Sequence, residues 1–170
     1  MNVEMHLIRA KHEWAYIVAD DATGVFLAHG SFGCFAHTWP PQHRSEPLLQ
    51  FLTSLDCDYF MKKARNAKHM VFDHKATARA LKSALLERRR HGAISKTIAR
   101  CLRDLVEDAA DQWPTSEERF MESLYADYDC YKVFGPDMYD MVRRELAPDC
   151  KGFWETIWPE FLKKVAQVPA

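Results

Sequence analysis

Lys75, Arg79 and Lys82 step by four and three residues, and Lys96, Arg100 and Arg103 repeat that step just beyond the run Arg88-Arg89-Arg90. On an α-helix such spacings line each trio along one face. Two adjacent helices of this kind present a cationic surface. Its chemistry is the holding of phosphates, or of an acidic protein, steered by long-range attraction and weakened by salt. The formal net charge of -1 conceals this layout. From Lys62 to Arg103 thirteen Lys or Arg stand against Asp73 and Glu87, and from Asp104 to Asp129 nine carboxylates stand against Arg119 alone. The competing arrangement is that the basic helices are neutralised by the acidic segment of the same domain, or simply face water.

Other reactive side chains form no recognisable apparatus. Cys34, His37, His43 and Cys57, or His69 with His74, are zinc-ligand types without the usual paired spacings, and residues 34 and 37 fall on opposite faces of a strand. No metal is expected. There is no G-x-S-x-G elbow, P-loop or HExxH, so no catalytic residue and no cofactor are assigned, and the chain reads as a binding protein rather than an enzyme. Asp56 with Asp58 and Asp137 with Asp140 sit where helices begin, and capping accounts for them. The five cysteines are scattered and lack CxxC pairs, which fits reduced thiols acting mostly as small core residues.

The elements that must position these groups follow from periodicity. Val3, Met5 and Leu7 alternate with Glu4, His6 and Ile8, as in a strand with one buried face. Trp14 to Ala19 and Val25 to Ala28 flank the turn cluster Asp20-Asp21-Ala22-Thr23-Gly24 and read as a hairpin. Gly30-Ser31-Phe32-Gly33 turns or bulges the chain again, and Cys34 to Trp39 continues as strand until Pro40-Pro41 stops it. Three or four antiparallel strands result. Helical spacing then takes over, with short helices at Leu48 to Leu55 and Tyr59 to Asn66. Two long ones follow, Asp73 to Arg90 and Ser95 to Ala110, separated by His91-Gly92. Thr115 or Ser116 caps another through Asp127, Cys130 to Phe134 reads as a last strand, and Gly135-Pro136 opens a helix carrying Met138, Met141, Val142 and Leu146. The closing helix carries Phe153, Trp154, Ile157, Trp158, Phe161, Leu162 and Val165 on one side, with a kink or restart expected at Pro159.

At 170 residues, 48% of them hydrophobic, the chain is expected to fold as a single α+β domain, with a small antiparallel β-sheet over residues 1–40 packed against a mostly helical body over residues 45–166. No apolar stretch approaches the ~18 to 20 residues of a membrane span, and Met1-Asn2-Val3-Glu4 lacks the order of a signal peptide. On the strand after Gly33, Phe35, His37 and Trp39 share one face. With Tyr59 they form either core or a possible aromatic groove, and the core reading is favoured.

Gly30-Ser31-Phe32-Gly33-Cys34-Phe35-Ala36-His37-Thr38-Trp39, the segment Phe51 to Lys63 with its Asp56-x-x-Tyr59 helix start, and the closing Gly152-Phe153-Trp154 to Leu162 together resemble small proteins encoded by bacteriophages and prophages. Phe32 and His37 occupy positions where that group carries tyrosine. The resemblance covers the first third and the last tenth of the chain. It implies a phage accessory protein working in the cytoplasm of a bacterial host. With the charge layout, it leads to an expected role in binding and modulating a host protein or protein–nucleic acid complex, with anti-defence (for example anti-CRISPR) inhibition as its specific form. The contact would be the basic face of Lys75, Arg79, Lys82, Arg88, Arg89, Arg90, Lys96, Arg100 and Arg103. The alternative is a nucleic-acid-binding regulator that uses the same helices directly on nucleic acid.

Overall fold

The computed structural model of the chain describes residues 3–166. Its fold class is α+β, as the periodicity indicates. Backbone contacts divide it into two compact units, one built from residues 1–69 and 146–170 and the other from residues 70–145.

The first unit holds a four-stranded antiparallel meander of β1 (Val3–Ala10), β2 (Glu13–Asp20), β3 (Val25–Gly30) and β4 (Gly33–Thr38), in that order across the sheet. The β2–β3 turn is tied by Asp20, whose carboxylate accepts from the Ala22 N–H at 3.1 Å and the Thr23 hydroxyl at 2.6 Å. Gly24 completes that turn at φ +75°, and a β-carbon there would lie 1.9 Å from the Trp39 carbonyl oxygen. Only glycine fits. The β3–β4 turn needs two residues, Ser31 and Phe32, between the paired Gly30 and Gly33.

Alternation in β1 runs opposite to a simple reading of its apolar residues. His6 and Ile8 are buried, whereas Val3 and Met5 face outward. The inner face of the sheet instead takes its bulk from Ala15, Ile17 and Ala19 on β2, Phe26 and Ala28 on β3, and Phe35 on β4. Against it pack α1 (Leu48–Thr53), α2 (Cys57–Ala64) and the C-terminal segment. Phe26 meets Phe60 edge-on at 5.4 Å and Phe35 stacks on Phe153 at 4.2 Å, with Phe60 4.5 Å from Trp158. These ring contacts join the sheet to both helical segments.

The second unit begins with β5 (Met70–Phe72), which pairs with β6 (Arg144–Leu146). Between them run α3 (His74–Arg90), α4 (Lys96–Gln112), α5 (Glu117–Tyr125) and α6 (Tyr128–Phe134). Each helix starts on a side-chain cap. Asp73 accepts from Ala76 N–H, Ser95 from Ile98, Ser116 from Arg119 and Asp127 from Cys130. The unit's core gathers Leu81, Leu85, Leu102, Val106, Phe120, Leu124, Phe134 and Met138.

Two expected elements are corrected. Cys130 to Phe134 is helix, not strand, because the Asp127 cap starts a turn that buries Cys130 and Phe134 four residues apart on one face. The helix expected from Gly135 is a 3-10 segment that ends at Met141, and Arg144–Leu146 is strand β6, so Leu146 is not helical. Buried Thr77 holds the intervening chain, since its hydroxyl accepts from Arg143 N–H at 2.9 Å while Asp73 N–H donates to Arg143 O at 2.9 Å.

The C-terminal segment is α7 (Pro148–Gly152), a wide π turn over Phe153–Ile157, and α8 (Trp158–Ala166). The Trp158 N–H donates to Phe153 O, five residues back, so the backbone widens just ahead of Pro159, which has no N–H to give.

Candidate functional site: a cationic groove on a helical hairpin

α3 and α4 are joined by a turn in which Gly92 adopts φ +72°. They lie antiparallel along their length, because residues near the start of α3 face the end of α4 and residues near the end of α3 face its start. One hollow, of about 490 Å³, is walled on the α3 side by Lys82, Leu86 and Arg89 and on the α4 side by Lys96, Arg100, Cys101 and Arg103. A second, of about 390 Å³, holds Lys75, Arg79 and Lys82 opposite Glu107 and Asp111. Full-length side-by-side contact is the geometry of an αα-hairpin rather than of crossed DNA-reading helices.

The hairpin is therefore graded. Toward its turn, five cations line a single groove. Toward its open end, carboxylates of α4 enter, and Lys82 reaches Glu107 at 3.1 Å. The other ion pair in the basic set is Arg103 with its neighbour Asp104 at 2.8 Å, a pair more than half exposed on both sides and energetically slight. Among the described residues no carboxylate lies within 4.0 Å of Lys75, Arg79, Arg88, Arg89, Arg90, Lys96 or Arg100.

Two residues of the basic run stand apart. Arg88 turns the other way and lays its guanidinium 5.0 Å over the Phe134 ring, a cation–π contact that belongs to the unit's packing. Arg90 is exposed and lies outside the groove lining. Cys101 was not singled out in the sequence, yet it is an exposed thiol on the groove wall. Its position one residue from Arg100 is the signal that could have found it.

The aromatic set is placed differently. Phe35 and Trp39 are buried in the core of the first unit, so they do not line an open groove. His37 is half-buried with its ring edge-on to Trp39 at 4.6 Å, and burial together with the Lys63 charge holds its pKa below the ordinary value of 6.5. Tyr59 is exposed, 5.8 Å from the Lys63 ammonium. Trp39 Nε1 is buried without a hydrogen-bond partner among the described residues.

The zinc-ligand types are dispersed: among the described residues no group of three or more His, Cys, Asp or Glu is placed to hold a metal ion. Cys34 instead contacts His29 Nδ1 at 2.9 Å. Cys130 is desolvated so strongly that its pKa is pushed up to about 12, and burial also raises those of Cys57 and Cys150. No helix among the described residues is long and apolar enough to cross a membrane.

The segments that carried the resemblance touch one another. Phe32, from the glycine-flanked turn, lies against Gly152 so closely that a β-carbon there would sit 2.2 Å from the ring. Arg65, at the end of α2, donates to Cys34 O at 3.1 Å, pairs with Asp149 and covers the Phe35 ring at 5.1 Å. Compared with known proteins, the chain is matched over residues 1–167 by the model of a phage family, Phage_phiTE_072, a span that includes the helical middle. No curated protein and no solved structure is matched.

Proposed function

The chain belongs to a phage protein family, and from that premise we propose that it is an accessory protein that binds and modulates an anionic macromolecule of the bacterial host. The observation that carries this reading is the groove at the turn end of the α3–α4 hairpin, where Lys82, Arg89, Lys96, Arg100 and Arg103 converge and, among the described residues, a single carboxylate contact from another helix, at Lys82, offsets them. Like charges gathered in this way repel one another and lower the stability of the isolated fold. A polyanionic partner relieves that repulsion and releases counterions as it docks.

The partner class is a host protein or a protein–nucleic acid complex, with a defence complex, such as a CRISPR effector, as the specific form. The role is non-enzymatic and cytoplasmic. The test is affinity capture from host lysate with wild type and with a variant carrying Arg89→Glu, Arg100→Glu and Arg103→Glu. A partner retained by wild type and lost by the variant is the expected result. Identical profiles remove the groove from the account. Direct binding to nucleic acid through the same helices is distinguished by gel shifts of purified protein with DNA and RNA across a salt series. Affinity for bare nucleic acid that falls steeply with salt supports that alternative.

A further inference from the structure

The outer face of the four-stranded sheet is apolar, and none of the described residues covers it. Cross-strand register sets Met5 beside Val18, Val18 beside Leu27 and Leu27 beside Ala36, so a row without a polar side chain crosses every strand. Met5 is 70% exposed and Leu27 42%. Tyr16 and Trp14 extend the surface toward the β1–β2 turn, their rings edge-on at 5.6 Å. A soluble fold ordinarily leaves such a face polar, since antiparallel sheets with one wet side alternate apolar-in and polar-out. An exposed apolar patch of several hundred Å² marks a docking surface.

We propose that this face is a self-association interface, occupied by the same face of a second copy of the chain. Two observations select that occupant, and neither depends on the cationic groove. The first is area. Four strands about 4.8 Å apart and six to eight residues long at about 3.3 Å each cover roughly 400 to 500 Å² in projection. Two copies therefore occlude roughly 800 to 1,000 Å² in projection. The accessible area of a surface bearing Trp, Tyr and Met exceeds its projection and reaches the ~1,200 Å² at which specific interfaces begin.

The second is charge. The formally charged side chains on this face are Arg9 at one end and Asp20 at the other. A two-fold axis across the strands lays one sheet on its partner with strands reversed, which brings Arg9 of each copy toward Asp20 of the other. The centre, being uncharged, meets itself without repulsion. Sheets so stacked lie about 10 Å apart with strand directions within about 30°.

Sedimentation of the full chain over a wide concentration range tests this, with wild type compared against Met5→Glu and Leu27→Lys. Each substitution puts a charge into the uncharged row, Met5 on the edge strand β1 and Leu27 on β3, and the two-fold axis brings that charge toward its own copy on the partner. Wild type is expected at the two-chain mass and both variants at the one-chain mass, with circular dichroism unchanged. Met5 is exposed enough that its variant folds even if Leu27→Lys does not. Wild type at the one-chain mass at the highest concentration, or variants that keep the two-chain mass, would overturn the proposal.

Discussion

Accessibility separates four of the five thiols, Cys57 being intermediate. Cys34 and Cys101 are exposed, whereas Cys130 and Cys150 are buried and have raised pKa values. Since the thiolate is the reacting form, a thiol reagent added to native protein should modify Cys34 and Cys101 first. Cys130 and Cys150 should follow only in denaturant, as intact-mass spectrometry would record. Because Cys101 stands on the groove wall, a bulky adduct there should also block partner capture. His37 titrates in the opposite sense to an ion-paired histidine. Its folded pKa is lowered by burial and by Lys63, so the native state binds fewer protons than the unfolded one. Its contribution to stability is present above pH 6.5 and is lost as pH falls through the depressed native value. An NMR titration should place the His37 midpoint below 6.5, and His37→Gln should flatten that part of the stability profile.

Capped, strongly periodic helices were legible at the level of the element. Asp73, Ser95 and Ser116 all start helices where a polar residue precedes an apolar stripe, and α3 and α4 differ from the expected ranges by one or two residues. Short segments were not. Over Cys130 to Phe134 five residues carry too little period to separate strand from helix, and what decides is the Asp127 cap together with burial against the rest of the unit. The basic face was partly legible for the same reason. Helical spacing aligned Lys75 and Arg79 with Lys82, and Lys96 with Arg100 and Arg103, but it did not place Arg89 in the groove that it shares with Lys82. It carried no information on Arg88, whose orientation depends on Phe134, forty-six positions along the chain. A turn glycine offers a sharp test of the sheet. Gly24→Ala should lower stability by about 2 kcal/mol or more in urea unfolding, because it meets both a left-handed backbone penalty and the Trp39 carbonyl.

For the whole molecule, a formal charge of -1 says little, because the basic and acidic blocks are separated along the chain and the α3–α4 hairpin keeps part of that separation in space. Raising salt should therefore slow partner association, measured as an on-rate, while leaving the fold intact, since few of the basic residues are held by internal ion pairs. The first unit is discontinuous: residues 1–69 supply the sheet and its first two helices, and residues 146–170 supply the rest. On the ribosome this imposes an order of events. The meander emerges early, with Phe26, Phe35 and Phe60 still lacking Phe153, Trp158 and Phe161, and at about 5 to 20 residues per second the missing wall arrives several seconds later. The intervening unit can close in that interval, so the nascent sheet spends its first moments as an open, sticky half-shell. A chain released after residue 145 should bind a hydrophobic dye and fall to the host's proteases.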